Sequence, residues 1–410
     1  MKVGILDIGT DKICCFIVIL KSNSKPEIIG MAHQKSKGVK SGVITDMELA
    51  QNSIVSTIQT AEQMTGDTVE EFVVNFSSNT IQSNLINLSV PLDGNEINAK
   101  NIKHVNKKAE EVDFGKDRIL IHKINISYTI DGHKNISSPI GMKGNQLIAG
   151  FNLITADKNS VDNFMKCLSK CHLRVSHIVV TPYASGLGCL TDDDFYIGTT
   201  VIDIGGGSTS IAHFYDNKLI YTNIFELGGL HISSDIARGL STSLFEADRL
   251  KILYGNVIGI NQEDDFIDVP LTGNEHIADT HKVPKKFLNN IITSRIEEIF
   301  QIVKSKISKS ILNKNYTNNI VLTGNTAQIK GCCDLASNIF GTKVRLGKPI
   351  NIFGKQGLAE NMSGPGFSVP SGLIKFKILE EKWDQNFSDS SIENSFIWRK
   401  FGTWVKESFF

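Results

Sequence analysis

Two glycine-rich turns, each lying between short apolar runs, restrict the fold of this chain more than any other feature. The first is DIGTDK at residues 7–12, and the second is DIGGGS at residues 203–208. Glycine lets backbone N–H groups approach an anion closely, and a Ser or Thr hydroxyl adds a further donor. We therefore predict two strand–turn–strand hairpins whose tips hold phosphate, one in each half of the chain.

The two turns differ in what each indicates alone. The first is also typical of an ordinary tight hairpin. Three adjacent glycines at 205–207 cost conformational entropy on folding, so a close backbone approach is the favoured reason for them. Two such hairpins far apart in one chain predict two halves that clamp one nucleotide.

Composition limits the class of protein. A length of 410 residues predicts two or more domains, and a hydrophobic content of 41% is enough for substantial cores. A formal net charge of zero, without a basic stripe, argues against a nucleic-acid partner. Seven cysteines without a CxxC pair are typical of free thiols in a reducing compartment. No signal peptide is expected, so the body of the protein is predicted to be cytosolic.

The distribution of apolar residues predicts several regions. Residues 1–78 are predicted to be α/β, with a turn-rich stretch between the first hairpin and residue 46. Residues 79–160 alternate in polarity and indicate a compact, β-rich insert. The second half contains a long amphipathic helix at about 286–310. Residues 384–394 are polar and are typical of a flexible linker.

The order of the motifs resembles that of the actin-like ATPase superfamily. The first phosphate hairpin is followed by a connecting segment, TPYASG at 181–186, by the second hairpin, and by an adenosine loop, TGNT at 323–326. The insert, which carries PIGM at 139–142, and an aromatic tail make the chain most similar to the FtsA family. Proteins of that family tether tubulin-like filaments to the membrane in bacterial cell division. The resemblance covers nearly the whole length.

The resemblance implies an α/β fold in which two actin-like halves enclose a nucleotide cleft. It places a β-rich inserted subdomain in the first half and an amphipathic helix at the C-terminus. The last helix of the body is expected to belong to the second half, with packing on the first half as an open alternative. The implied regions are a first-half core at 1–78 and 161–197, the insert at 79–160, a second-half core at 198–240 and 305–382, a small subdomain at 241–304, a linker at 383–392 and a membrane-targeting helix at 393–410.

The same resemblance implies a site for ATP and Mg²⁺. Asp7 and Asp203 would face the metal ion through water molecules, because a hard cation prefers oxygen ligands. Glu246 and Lys251 would contact the ribose and base, although alone they are typical of a solvated helix face. The implied nucleotide-binding residues are Asp7, Gly9, Thr10, Lys12, Asp203, Gly205, Gly206, Gly207, Ser208, Glu246, Lys251, Gly324, Asn325 and Thr326.

Three departures from the superfamily pattern weaken the enzymatic side of the prediction. Asn325 and Thr326 replace small residues of the adenosine loop, and Thr209–Ser210 stands where relatives often have Asp. Thr181 occupies the position at which polymerising relatives often have a Glu that orients the attacking water. A Thr hydroxyl is not a base near pH 7. We therefore expect ATP binding with at most slow hydrolysis, and we predict no catalytic residue.

The last residues predict contact with a membrane. Ile397, Phe401, Trp404 and Val405 recur at helical spacing, and Arg and Lys lie largely on the opposite face. This pattern is typical of an interfacial helix on anionic lipid, and a helix docked on the body is the alternative. The candidate membrane residues are Ile397, Trp398, Phe401, Trp404, Val405 and Phe409.

The family resemblance also implies partners. These are the C-terminal peptide of FtsZ, other copies of the chain in an actin-like filament, and later division proteins that bind the insert. Lys285, Lys286 and Arg295 are candidate contacts for the acidic FtsZ peptide. The implied location is the cytoplasmic side of the cell membrane, peripherally bound at the division site. The alternatives are a cytosolic adaptor of the pilus-assembly type and a kinase or phosphatase of the same superfamily.

Overall fold

The computed structural model describes residues 1–21, 25–258, 265–271, 280–309, 319–350 and 362–388, with side chains up to residue 381 in the last segment. The predicted membrane helix at 393–410 lies outside these residues. The strands are β1 Lys2–Ile8, β2 Lys12–Ile19, β3 Glu27–Lys35, β4 Val39–Lys40, β5 Val43–Ile44, β6 Glu71–Phe76, β7 Gln82–Pro91, β8 Arg118–Ile130, β9 His133–Ile136, β10 Gln146–Asp157, β11 Arg174–Val180, β12 Thr199–Ile204, β13 Thr209–Tyr215, β14 Lys218–Phe225, β15 Phe266–Pro270, β16 Thr280–Pro284, β17 Ile320–Thr323 and β18 Val344–Leu346. The helices are α1 Met47–Thr65, α2 Ala99–Glu110, α3 Lys158–Lys170, α4 Thr181–Cys189, α5 Asp192–Ile197, α6 Gly229–Gly239, α7 Leu244–Tyr254, α8 Lys285–Lys309, α9 Cys332–Phe340 and α10 Ser368–Ser388.

The described residues contain the same five-stranded sheet twice. The first sheet has the order β3-β2-β1-β6-β11, and the second has the order β14-β13-β12-β17-β18. In each, three antiparallel strands precede two strands that run parallel to the central one. The two strand pairs β1–β2 and β12–β13 are the predicted hairpins. The prediction of two related α/β halves is therefore confirmed.

Burial explains why these strands form. All but the first residue of β1 and all residues of β12 are buried, and central strands covered on both faces are expected to be continuously apolar. Asp7 and Asp203 are the acidic exceptions, and each lies one residue before the end of its strand. The apolar runs therefore fix the sheets, and the position of each acid fixes where a hairpin tip can carry charge.

The insert is a four-stranded sheet covered by one helix. Its strand order is β7-β10-β8-β9, and α2 packs Val105 and Ala109 against Phe151 and Leu153 of β10. The side chain of Asn98 accepts hydrogen bonds from backbone N–H groups in the first turn of α2, which satisfies donors that have no partner within the helix. The β-rich character predicted for this region is thus observed, together with one helix.

The helix α10 joins the two halves. Leu373 and Ile374 pack in the same cluster as Val3 and Ile5 of β1. Where α10 crosses α4, a Cβ atom on Gly372 would overlap with the carbonyl oxygen of Ala184. The end of the body therefore packs on the first half, which was the open alternative.

The structure corrects two predictions about local structure. The stretch between the first hairpin and residue 46 was predicted to be turn-rich, but it contains β3, whose residues alternate between more and less buried positions. Gly30 and several polar residues weaken that alternation in the sequence. The linker was predicted to begin at residue 383, but α10 continues to Ser388. Among the described helices, none is both long and apolar enough to span a bilayer.

Candidate functional site

The two hairpins end in the same turn. The N–H of Gly9 donates to the carbonyl oxygen of Lys12 at 3.0 Å, and the N–H of Gly205 donates to that of Ser208, also at 3.0 Å. Each turn closes its own ring of backbone atoms. Successive backbone N–H groups in turns of this kind can form a concave site for an anion.

The tips of the two hairpins touch each other. A Cβ atom on Gly206 would lie 2.7 Å from Cβ of Asp11, and one on Gly207 would lie 2.6 Å from Oγ1 of Thr10. Real Cβ atoms do not approach other atoms so closely, so both positions require glycine. The close backbone approach that the three glycines predicted is therefore observed, and the partner in that approach is the other hairpin.

A cavity of about 560 Å³ opens between the two halves beside these tips. That volume is typical of sites for small molecules and cofactors. Thr181 lines it, as do thirteen of the fourteen residues predicted to bind nucleotide. The thirteen are Asp7, Gly9, Thr10, Lys12, Asp203, Gly205, Gly206, Gly207, Ser208, Lys251, Gly324, Asn325 and Thr326.

Two buried carboxyl groups line this cavity. Burial raises the pKa of Asp7 to about 6, although the charge of Lys12 opposes the rise. Burial and then the charge of Asp7 raise the pKa of Asp203 to about 7, again opposed by Lys12. An acid whose ionisation is disfavoured by burial and by a second acid is typical of a functional site, where a bound cation would offset the repulsion.

The donor set fits a hydrated magnesium ion better than a metal held by protein alone. In the described part of the chain, no group of three or more His, Cys, Asp or Glu side chains is placed to hold a metal. Magnesium in proteins is commonly held by one or two carboxylates, by water and by substrate phosphates. Asp7 and Asp203 would supply two carboxylates for such an ion, and the turns beside them would supply backbone donors for an anion.

The adenosine loop and α6 are both hydrogen-bonded to the second hairpin. The N–H of Gly229 donates to the carbonyl oxygen of Gly205 at 2.9 Å, and Oγ1 of Thr326 donates to the same oxygen at 3.2 Å. Gly324 has φ of +87°, and a Cβ atom there would overlap with the carboxylate of Asp203. Glycine is therefore required at residue 324 both for its backbone conformation and for space.

The structure corrects the assignment on α7. Glu246 is not among the residues that line the cavity, and its carboxylate pairs with Arg249 at 2.7 Å. Asp248 lines the cavity instead, where its carboxylate accepts a hydrogen bond from Lys251 at 2.6 Å and another from Ser233 at 2.8 Å. Burial acts to raise the pKa of Asp248, but the hydrogen bond and charge of Lys251 outweigh it, and the pKa is lowered.

Thr181 and Asn75 form a short polar chain on the first-half wall. Oγ1 of Thr181 donates to the carbonyl oxygen of Phe76 at 3.2 Å and accepts from Nδ2 of Asn75 at 3.1 Å. Oδ1 of Asn75 accepts from the N–H of Ile8 at 2.7 Å. The sequence analysis missed Asn75, although a single amide inside the apolar run 72–76 was the available signal.

The far wall contains a second set of residues that the sequence analysis missed. Pro365, Gly366 and Val369 line the cavity, and a Cβ atom on Gly366 would overlap with the side chain of Asn325. The aromatic ring of Phe367 lies 3.7 Å from Nζ of Lys12, so this segment also contacts the one cation of the glycine-rich turn at residues 7–12. The GPG sequence at 364–366 marked a turn but gave no sign of which cavity it faces.

Comparison with known proteins identifies the family. A model of the cell division protein FtsA matches residues 200–372, and a model of the SHS2 domain inserted in FtsA matches residues 78–155. The FtsA of Rhizobium meliloti (strain 1021) is 33% identical over 421 residues, which cover 99% of this chain and 95% of that protein. The chain belongs to the FtsA family of cell-division proteins. The FtsA of Agrobacterium fabrum is 34% identical over the same shares of both chains, and that of Pseudomonas aeruginosa is 29% identical over 95% of this chain and 92% of its own.

Solved structures share the fold of this FtsA-family chain at low sequence identity. A structure of the PilM–PilN type IV pilus biogenesis complex has a TM-score of 0.64 and 17% identity, covering 91% of this chain and 97% of that one. MreB5 of Spiroplasma citri bound to ADP has a TM-score of 0.56 and 12% identity, covering 95% and 99%. These likenesses confirm the actin-like architecture of the two halves.

The three cations predicted to meet the FtsZ peptide are already engaged in this FtsA-family structure. Arg295 donates from Nε and Nη2 to the carboxylate of Asp235, at 2.6 and 3.0 Å, and also pairs with Glu298. Lys285 donates to Asp265 at 3.1 Å, and Lys286 also makes an interaction. An acidic peptide that used Arg295 would have to compete with two carboxylates of the chain itself.

Proposed function

We propose that this FtsA-family protein binds ATP, assembles with copies of itself on the inner face of the cytoplasmic membrane, and tethers FtsZ filaments there at the division site. The observation that carries the proposal is the pair of touching hairpin tips beside Asp7 and Asp203, in a chain of this family. In that role it also helps to recruit later division proteins through the insert. The regions named from the sequence are part of the same proposal.

The cleft residues divide between the phosphates and the nucleoside. Backbone N–H groups of both hairpin tips, with Lys12 and Ser208, would hold the phosphates. Asp7 and Asp203 would hold a hydrated Mg²⁺ ion, which would neutralise charge on the phosphates. Lys251 and Asp248 on α7 face the ribose and base, with Gly324, Asn325 and Thr326 beside the adenosine.

Hydrolysis is slow in this proposal because the water-orienting position on the first-half wall lacks a base. Thr181 stands at the water-orienting position, and its hydroxyl proton is directed to the carbonyl oxygen of Phe76. Asn75 beside it is an amide, which does not take up a proton near pH 7. A turnover above about 1 per second, which is ordinary for metabolic enzymes, would overturn this part.

The membrane step depends on the aromatic C-terminal segment. Trp398 and Trp404, with neighbouring apolar residues, enter the headgroup region while Arg and Lys meet anionic lipid. One copy anchors weakly, because the segment is short and only modestly cationic. Self-assembly joins many copies, so the weak membrane contacts of the single copies together give stable attachment through avidity.

Co-sedimentation with anionic vesicles in the presence of Mg·ATP tests the proposal. We expect the full chain to pellet and to bring purified FtsZ with it. A chain truncated before Ser391 and the double variant Trp398→Ser/Trp404→Ser should both stay in the supernatant while still binding FtsZ. Lys103→Gln, an exposed cation of the insert, serves as the control for a general loss of charge.

Either of two results would contradict the tether. If the full chain and the truncation both stay soluble, the cytosolic adaptor alternative replaces it. If the full chain pellets without FtsZ, the protein binds the membrane but has a partner other than FtsZ. A kinase or phosphatase is disfavoured because neither would explain the amphipathic C-terminal segment.

A further inference from the structure

A second cavity lies against the hairpin tips, and most of its lining residues do not line the nucleotide cleft. Its volume is about 300 Å³, and it shares Thr10, Gly207 and Leu230 with that cleft. The contact between Thr10 and Gly207 therefore separates the two cavities. The other lining residues are Lys40, Ser41, His231, Ser234, Asp235, Arg238 and Arg295.

The charge of this second cavity is positive. It is lined by Lys40, Arg238 and Arg295 and by one acid, Asp235. The ion pair with Arg295 neutralises that acid. Lys40 and Arg238 have no hydrogen-bond or ion-pair partner among the described residues. Two cations with unused donors thus face one concave space.

His231 adds a third donor of known direction. Its Nδ1 accepts a hydrogen bond from the N–H of Gly228 at 3.2 Å. In a neutral imidazole only one nitrogen carries the proton, so acceptance at Nδ1 places that proton on Nε2. Nε2 is therefore a donor, and within the described chain no partner takes it up.

The backbone that presents Lys40 is held in an unusual conformation. Ser41, the next residue, has φ of +49°, which residues other than glycine rarely adopt. Its Oγ donates to the carbonyl oxygen of Gly207 at 3.1 Å, and the N–H of Gly42 donates to Oγ1 of Thr10 at 3.3 Å. These two hydrogen bonds attach the turn to both hairpin tips, and they hold the backbone of Lys40 at the edge of the cavity.

We propose that this second cavity binds a small phosphate-type oxyanion. The guanidinium of Arg238 suits two oxygens of a tetrahedral anion, while Lys40 acts as a point charge and His231 as a neutral donor. Lys40 comes from the first half, whereas Arg238 and His231 come from α6 in the second. A bound anion therefore joins the two halves and holds the hairpin tips together, whether the anion comes from solution or from the neighbouring cleft.

Equilibrium dialysis with radiolabelled inorganic phosphate tests this site in the full chain at constant ionic strength. Charge-assisted hydrogen bonds contribute about 1.5–3 kcal/mol each. We therefore expect Arg238→Gln and Lys40→Gln each to weaken phosphate binding about tenfold or more. Arg174→Gln and Lys103→Gln remove exposed cations elsewhere and should leave it unchanged.

A second series separates this site from the nucleotide cleft. A non-hydrolysable ATP analogue with Mg²⁺ is added to saturation, which removes any phosphate bound in the cleft. Binding that remains and depends on Arg238 supports the proposal. The proposal is overturned if the analogue abolishes all phosphate binding, if wild type binds none, or if Arg238→Gln behaves as Arg174→Gln does. If the analogue itself does not bind, the proposed ATP site fails, while the dialysis without nucleotide still decides this inference.

The proposed link between the two halves, formed by the bound anion, can be tested by an independent measurement. If the anion holds the hairpin tips together, millimolar phosphate should slow the release of a fluorescent ATP analogue by several-fold. Chloride at the same ionic strength should not slow it. Arg238→Gln should remove the effect of phosphate without changing the release rate in its absence.

Discussion

Replacing Asp203 by Asn should stabilise the empty protein while weakening its function. Folding moves this carboxyl group from water to a buried position beside Asp7, and its pKa rises from 3.8 to about 7. The folded pKa lies above the unfolded one, so the ionised form is the unfavourable form in the native state. The destabilisation is therefore absent below about pH 4, grows between pH 4 and 7, and is complete above pH 7.

The magnitude follows from the same values. Each step of one in pKa corresponds to about 1.36 kcal/mol, so a rise from 3.8 to about 7 destabilises the folded state by roughly 4 kcal/mol at pH 8. Asn keeps the shape of Asp but cannot ionise. We expect Asp203→Asn to recover about 2–4 kcal/mol at pH 8 and almost nothing at pH 4.

Thermal unfolding without nucleotide and Mg²⁺, measured from pH 4 to 8.5, is the assay. The difference in Tm between Asp203→Asn and wild type should grow as pH rises and level off above pH 7. Asp93→Asn is the matched control, because Asp93 is exposed and its φ of +53° is one that Asn also tolerates. A difference that does not change with pH, or a variant less stable than wild type at pH 8, would refute the reasoning.

Further predictions concern ligand binding, turnover, packing and partners. Mg·ATP binding should strengthen about tenfold or more between pH 6 and 8 in titration calorimetry, because Asp203 must lose its proton to hold the metal ion. Thr181→Glu should raise phosphate release at least about tenfold by supplying a base, whereas Thr181→Val should not. Gly372→Ala should lower stability by about 3 kcal/mol or more in denaturant unfolding, while Gly364→Ala, with open space around it, should be neutral. Arg295→Glu should weaken FtsZ-peptide binding in fluorescence anisotropy, and unchanged affinity would remove that residue from the site.

The hairpins could be predicted from the sequence because their chemistry is local. A turn with adjacent glycines, an acid and a hydroxyl restricts the backbone within a few residues, and both hairpins appear where expected. The choice between Glu246 and Asp248 could not be made in the same way. Both lie on α7, two residues apart and so on different faces, and only the packing of α7 against Ser233 of α6 decides which one faces the cleft.

Other residues of the two cavities could not be predicted, because packing between distant parts of the chain brings them together. Gly366 and Val369 lie more than 150 residues from the second hairpin in the chain, yet they line the same cleft. The second cavity needs Lys40 from one half and Arg238 from the other, and neither residue stands in a motif. Charged residues of this kind are typical of a solvated surface, so no local pattern could have paired them.

The crossing of α4 and α10 attaches α10 to the first half. At Gly372 and Gly188 the two helices meet backbone to backbone, and from Gly372 to Ser388 the helix continues for sixteen residues. At about 1.5 Å per residue this arm is roughly 24 Å long. Within this arm, Nζ of Lys377 pairs with the carboxylate of Glu71 in β6 at 3.2 Å. The arm is therefore held along the first half, and any movement of the first half that opens the cleft carries the end of α10 with it.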